Sequence, residues 1–479
     1  MTHAPRRPAT DNDSEPAAVH PQDPQQTGRR DAPDTSTRAF VKLGWPLFIA
    51  NLAVVGNGTI DTIMAGRLSA ADLAAVAVGS SIYVSVYIGL MGVLQALSPI
   101  AGHHFGAQRW RAIGDDLQQA LWLSLFLTIA GLPIVLATDT WLAFARVSAD
   151  VGSIASTYLH AIAFGLPAAL ASRAFVALNA AVSRPKVTMT INVFALVLKI
   201  PLNALFMSGA GPIPPMGGAG AGVATAVLAW ITLALSIGVW QLDPLFRRFH
   251  SDRIHLPRWA SQRDLLRLGV PIGLSVVFEV TSFTFMAVLI ARLGTASVAG
   301  HQVVANVAAI LFMVPLALGI ATSVLVAQSL GAGAPRVARS AALRGLRLSI
   351  GIALVAAVLV WLLREPLVAL YTIDAAVSAV ALSLIGWMAV FHVFDAGQGV
   401  SGFALRGYKN TFWPMVIYGV SLWGVGLIGG YWIGFYTTPL GPPRGALGFW
   451  EAATVALGIA AISLAWLAAA VSRQTAQRA

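Results

Sequence analysis

Residues 72–102 read DLAAVAVGSSIYVSVYIGLMGVLQALSPIAG, an apolar run in which Asp72, at its first position, is the only charged residue. About 20 such residues let a helix cross the roughly 30 Å hydrocarbon layer of a bilayer. Runs of the same character recur along the chain, at 40–64, 72–102, 117–138, 152–180, 187–208, 218–241, 264–291, 297–330, 341–363, 376–405, 412–436 and 447–472. The pattern predicts an all-α polytopic membrane protein with twelve transmembrane helices, its partner the lipid bilayer. Composition agrees: of 479 residues, 57% are hydrophobic and 11% charged, more apolar surface than a soluble globule can hide. The chain has no cysteine, which excludes disulfides, thiol nucleophiles and Cys-ligated zinc or iron–sulfur centres.

A net charge of +11 would suggest a nucleic-acid partner in a soluble protein. Here the basic residues sit in short loops between apolar runs, so they report topology and no nucleic acid is expected. With a cytoplasmic N-terminus, the external loops hold only Arg67, Arg146, Arg292, Arg364 and Arg444. Both termini are then cytoplasmic. Residues 1–38 lack an apolar core and read as a disordered cytoplasmic tail. The remaining divisions are an N-lobe over 39–241, a cytoplasmic loop over 242–263 rich in arginine, a C-lobe over 264–472 and a short tail over 473–479.

The two lobes repeat one another. Under an ungapped offset of 225 residues, Leu43, Gly44 and Pro46 fall on Leu268, Gly269 and Pro271; Arg67 and Leu68 fall on Arg292 and Leu293; Gly106, Ala107 and Arg111 fall on Gly331, Ala332 and Arg336. Pro, Arg and Gly agreeing under one offset point to duplication. Six spans per lobe give both lobes one orientation, hence a pseudo-two-fold axis along the membrane normal and a central cleft. Pro46 and Pro271 are expected in the first turns of their helices, where proline is tolerated. Pro201, Pro315 and Pro414 are the candidate bending points.

Ionisable residues within spans are functional candidates, because charge in hydrocarbon is costly. Of twenty Asp and Glu, only Asp61, Glu279 and Asp395 lie deep in spans. Asn57, one turn before Asp61, shares its helical face, and His392 and Gln398 flank Asp395 at three-residue spacing. Glu279 has no basic neighbour in sequence nearer than Arg267. Two converging carboxylates can share a proton or hold a hard cation such as Na⁺ through oxygen. Lys199 is the one lysine deep in a span, with Asn203 one turn on. It is expected to pair with Asp61, the deep carboxylate of its own lobe, unless it snorkels to an interface. Arg173 is expected to bridge the fourth helix to a loop. His160, His301 and His392 show no ligand spacing, so no metal site is expected beyond Na⁺ at Glu279 and Asp395.

The motifs LGWP at 43–46, IDTIMAGRLS at 60–69, GHHFGAQR at 102–109, IPLNALF at 200–206, FEVTSF at 278–283, GHQVVANV at 300–307 and ALRGYKN at 404–410 resemble those of the multidrug and toxic compound extrusion (MATE) family, in its NorM-like branch. The resemblance covers nearly everything after residue 40. It implies a two-lobe antiporter, working as a monomer and without a cofactor, that exports small organic cations in exchange for Na⁺ or H⁺. It also implies cation coupling at Glu279, Asp395 and Asp61. Two departures matter: the family's tyrosine one turn before the tenth-helix aspartate is Phe391 here, and Lys199 stands where such sequences often carry asparagine. Loss of the hydroxyl favours a proton, and the ammonium counts against a cation in the first lobe.

A flippase for a lipid-linked anion or oligosaccharide would place more basic residues in the cleft, whereas deep acids outnumber deep bases in this sequence. An intramembrane enzyme is the other rival, but no HExxH pair or Gly-rich phosphate loop is present. The chain is not expected to be an enzyme.

Overall fold

The computed structural model describes residues 32–478, except 146, 251–254, 438 and 440. The tail reading of residues 1–31 and the external placement of Arg146 lie outside the described residues. Twelve long apolar helices follow in order: α1 Thr37–Leu68, α2 Ala70–Gly106, α3 Trp110–Leu136, α4 Ala149–Ala181, α5 Pro185–Ser208, α6 Ala219–Leu242, α7 Trp259–Ala291, α8 Thr295–Gly331, α9 Pro335–Leu362, α10 Ala375–Gly407, α11 Phe412–Phe435 and α12 Gly445–Gln477. Side chains satisfy the exposed amides at several starts, as Ser36 does for α1, Ser69 for α2 and Asp374 for α10. Outward faces remain apolar, as with Val455, Ile459, Ile462 and Trp466 on α12, the surface that lipid would cover.

Several helices outrun their apolar windows. The first turns of α7 are polar and dock on α3, where the Gln262 amide donates to the Gln119 carbonyl at 2.9 Å. At α1, Phe40 is fully buried and Arg344 donates to the Thr35 carbonyl. Pro46 and Pro271 therefore lie well inside α1 and α7, not in their first turns as the sequence pattern predicts. The connection between lobes is shortened by the same effect. Its described part is held to α3 by Gln119, whose side chain bonds Leu256 and Arg258, and by the Trp122 indole on the His255 carbonyl.

The repeat is visible in the packing. α1 lies against α8 and its counterpart α7 lies against α2, while the end of α2 crosses the end of α8. At that crossing a Cβ on Gly106 would overlap the Gln328 carbonyl, and a Cβ on Gly331 would overlap the His103 carbonyl. Position 103 corresponds to 328 under the 225-residue offset, so each contact is the image of the other and the axis passes between them. The flanking hydrogen bonds are paired too: the His103 Nε2 meets the Gly407 carbonyl at 2.9 Å, and the Gln328 amide donates to the Ala181 carbonyl at 2.7 Å. The lobes thus meet at the end of the molecule that carries α1's start and α12's finish.

Candidate functional site

Above this crossing, a cavity of about 780 Å³ opens between the lobes. Its C-lobe wall includes Glu279 on α7, His301 on α8, and Phe391, Asp395 and Arg406 on α10; its N-lobe wall includes Asn51 on α1, Gln95 and Ser98 on α2, and Arg173 on α4. The two C-lobe acids are joined by one amide. Gln398 Nε2 donates to Asp395 Oδ1 at 2.9 Å and to Glu279 Oε1 at 3.4 Å. Asp395 and Gln398 are one turn apart on α10, whereas Glu279 arrives from α7. Gln398 is 1% exposed, and its own Oε1 has no hydrogen-bond partner. Two carboxylates brought this close offer oxygen donors suited to H⁺ or a hard cation such as Na⁺. Among the described residues no three His, Asp or Glu side chains gather as a metal cluster.

The middle of α11, Gly419–Ile428, is π-helical. This widened stretch is held to α7 by the Trp423 indole, which donates to the Phe278 carbonyl at 3.3 Å beside Glu279. π-Helical turns are rare and are frequently found at functional sites. Phe391 belongs to an aromatic group, its ring 5.4 Å from Trp450 and 6.0 Å from Phe283. The Trp450 indole donates to His301 Nδ1 at 3.2 Å. Such ring faces suit a flat organic cation. His392 is buried behind this wall, with its Nδ1 unpartnered.

The N-lobe acid is placed differently. Asp61 lies within the lobe, away from the cavity wall, where Lys199 Nζ meets its Oδ1 at 2.8 Å and Asn203 Nδ2 donates to the same oxygen at 2.7 Å. The ammonium also reaches Thr225 Oγ1 at 2.5 Å. Lys199 is fully buried and does not snorkel. Asn57, on the face of Asp61, has a buried Oδ1 without a partner. The structure therefore brings Glu279, Asp395, Gln398 and Phe391 together in the C-lobe and gathers Asp61, Lys199 and Asn203 in a separate N-lobe group.

Two arginines alter the charge balance inferred from sequence. Arg173 does not bridge α4 to a loop: its Nε donates to Tyr87 Oη on α2 at 2.7 Å, and it faces the cavity. Arg406 Nη1 donates to Gln95 Oε1 across the lobes at 2.9 Å, and its guanidinium lies 4.2 Å from the Phe403 ring centre. Two acids and two guanidiniums line the cavity, so an excess of acid does not argue against a flippase.

A family model described as MatE matches residues 46–205 and again 271–432. The chain belongs to the MatE family. The two matched segments of the MatE model begin at Pro46 and Pro271, the offset of the internal repeat. Among relatives, the probable multidrug resistance protein NorM of Aromatoleum aromaticum is 42% identical over 92% of this chain and 96% of its own. The multidrug resistance protein PmpM of Pseudomonas aeruginosa is 36% identical over 89% and 90%. The MatE chain also superposes on a solved structure described as the outward-facing conformation of a multidrug resistance MATE family transporter of the MOP superfamily, with TM-score 0.82 and 19% identity over 94% of this chain and 98% of that one. The eukaryotic MATE transporter AtDTX14 gives TM-score 0.81 at 19% identity, over 92% and 98%. These two likenesses establish the shared fold. With relatives named for multidrug resistance across nearly the full length, the chain is a multidrug efflux transporter.

Proposed function

We propose that this transporter is a Na⁺- or H⁺-coupled antiporter that exports small organic cations by alternating access, as a monomer in the bacterial cytoplasmic membrane with both termini inside. The observation that carries the reading is the Glu279–Gln398–Asp395 group in the wall of the interlobe cavity. Two carboxylates linked through one amide in a low-dielectric wall repel one another, and a positive charge relieves that repulsion. An organic cation entering from the cytoplasm and a coupling ion entering from outside therefore compete for the same place. Whichever binds displaces the other, and exchange follows when the empty protein changes conformation slowly. In this reading the crossing at Gly106 and Gly331 is the cytoplasmic end, and the conformation faces outward. The sparse basic residues of the opposite loops support that orientation.

In this reading Asp61 acts through Lys199. A proton on Asp61 would leave a buried ammonium without its counter-charge, so the ion pair must open before the N-lobe takes part in coupling. The working test is dye retention in cells expressing the protein. Wild type lowers accumulation of a fluorescent organic cation, and Asp395→Asn, at equal expression, abolishes that lowering. Undiminished export by Asp395→Asn would overturn the assignment.

A further inference from the structure

The competition between cations at Glu279 and Asp395 gives no task to Arg173. This residue sits on a cavity-facing stripe of α4 with Val176, Ala177 and Ala180, spaced at helical intervals. Its Nε is committed to Tyr87, whose ring stacks on Tyr83 with centres 5.6 Å apart. That clamp aims the guanidinium without neutralising it. The groups within electrostatic reach are the hydroxyls of Tyr87 and Tyr83, with no carboxylate among them. Among the described residues, neither terminal nitrogen of Arg173 has a hydrogen-bond or ion-pair partner. Arg406, the other cavity arginine, also bonds a neutral side chain and lies over a ring, as Arg173 does 5.6 Å from the Tyr87 ring centre, but it differs in being within electrostatic reach of a carboxylate, Glu279.

The repeat shows where this charge stands relative to the acids. Helices α4 and α10 are each 33 residues long and begin at Ala149 and Ala375, 226 positions apart and one more than the offset of the earlier spans; the positive-φ residues that follow them, Ser183 and Lys409, keep the same spacing, so within this pair each residue corresponds to the one 226 further on. Arg173 corresponds to Gly399, one turn from Asp395. Two helices related by the axis thus carry opposite charges at nearly the same depth on opposing walls. Guanidinium is always charged and presents a planar fork matched to carboxylate. A cavity of about 780 Å³ has room for a drug-sized molecule touching both walls.

We propose that Arg173 is an anion-binding residue that selects zwitterionic substrates, holding the carboxylate of a molecule whose amine end meets Glu279 and Asp395. The inference rests on the efflux reading above and adds a substrate class to it. A purely cationic substrate meets repulsion from Arg173, whereas a zwitterion pairs both walls.

The test uses two dyes that differ by one ester: rhodamine 110, with a free carboxylate, and its methyl ester rhodamine 123, a net cation. Each is titrated by fluorescence anisotropy against the purified full-length protein in a low-ionic-strength buffer free of chloride and of carboxylate anions. Wild type is expected to prefer the acid. Arg173→Gln shifts the ratio of the two affinities by about tenfold toward the ester, and Arg173→Lys keeps most of the preference. An acid-to-ester ratio that is unchanged in Arg173→Gln overturns the anion role and leaves the efflux reading standing. Ester binding that rises with added chloride in wild type but not in Arg173→Gln assigns the place to a free anion and also overturns it. Failure of wild type to bind either dye contradicts the efflux reading itself and removes this inference with it.

Discussion

Lys199 has no exposed surface, and its ammonium is held by Asp61, Thr225 and the fold around them. Removing one partner of a buried ion pair leaves the other charge uncompensated, at a cost of roughly 3–5 kcal/mol. Lys199→Met and Asp61→Asn are each expected to lower the thermal unfolding temperature of the purified protein, and the double variant to recover most of the loss. Equal losses that simply add would show that the pair is not coupled. This pairing could be read from sequence because each half offers few deep charges and the N-lobe has one acid. The spacing of Asp395 and Gln398 was equally legible, since both lie on one helix. The amide's reach to Glu279 was not, because it depends on how α7 packs on α10. Arg406 was hidden for a different reason. It follows the end of an apolar run, but the helix continues to Gly407 and helical side chains lean toward the N-terminus, which returns this one to the cavity.

At the level of elements, the ends of α2 and α8 meet about the pseudo-two-fold axis, and this contact closes one end of the cleft. Gly102 and Ala327, also related by the 225-residue offset, lie on it; a Cβ on Gly102 would stand 3.0 Å from that of Ala327. A disulfide needs a Cβ separation of about 3.5–4.5 Å, so the two helix ends have to part slightly to take the bridge. Because the chain has no cysteine, Gly102→Cys with Ala327→Cys gives an assay free of background. Oxidation is expected to cross-link the pair within one chain and stop transport, with reductant restoring it. Full transport by the cross-linked protein would show that this contact need not open. The twelve helices and their repeat were written in apolar periodicity and in Gly, Pro and Arg positions. The extra turns of α1 and α7 were not, because they are amphipathic and gain their stability from docking on neighbours. The π-helical stretch of α11 carried no signal either: its residues are as apolar as any span, and its widening follows from packing against α7.

For the whole molecule, the account requires the two lobes to exchange which end is closed, with the C-lobe acids bound alternately by coupling ion and substrate. In the proposed reading, with these acids in the cavity wall and Asp61 paired inside its own lobe, the C-lobe is the principal coupling element. The N-lobe contributes the opposite wall, where Arg173 is proposed to select the substrate. Sequence conveyed the two-lobe plan because duplication leaves the same residues at the same offset, but the charge pattern of the cavity arises only when unrelated faces of α4, α7 and α10 are brought together. The most direct measurement is transport of a fluorescent organic cation in proteoliposomes under an inward Na⁺ gradient alone and an inward pH gradient alone, with Glu279→Gln and Asp395→Asn beside wild type. The account predicts that at least one gradient drives export by wild type and that neither drives it in either variant. Gradient-driven export that survives both substitutions, or its absence from wild type under both gradients, would contradict it.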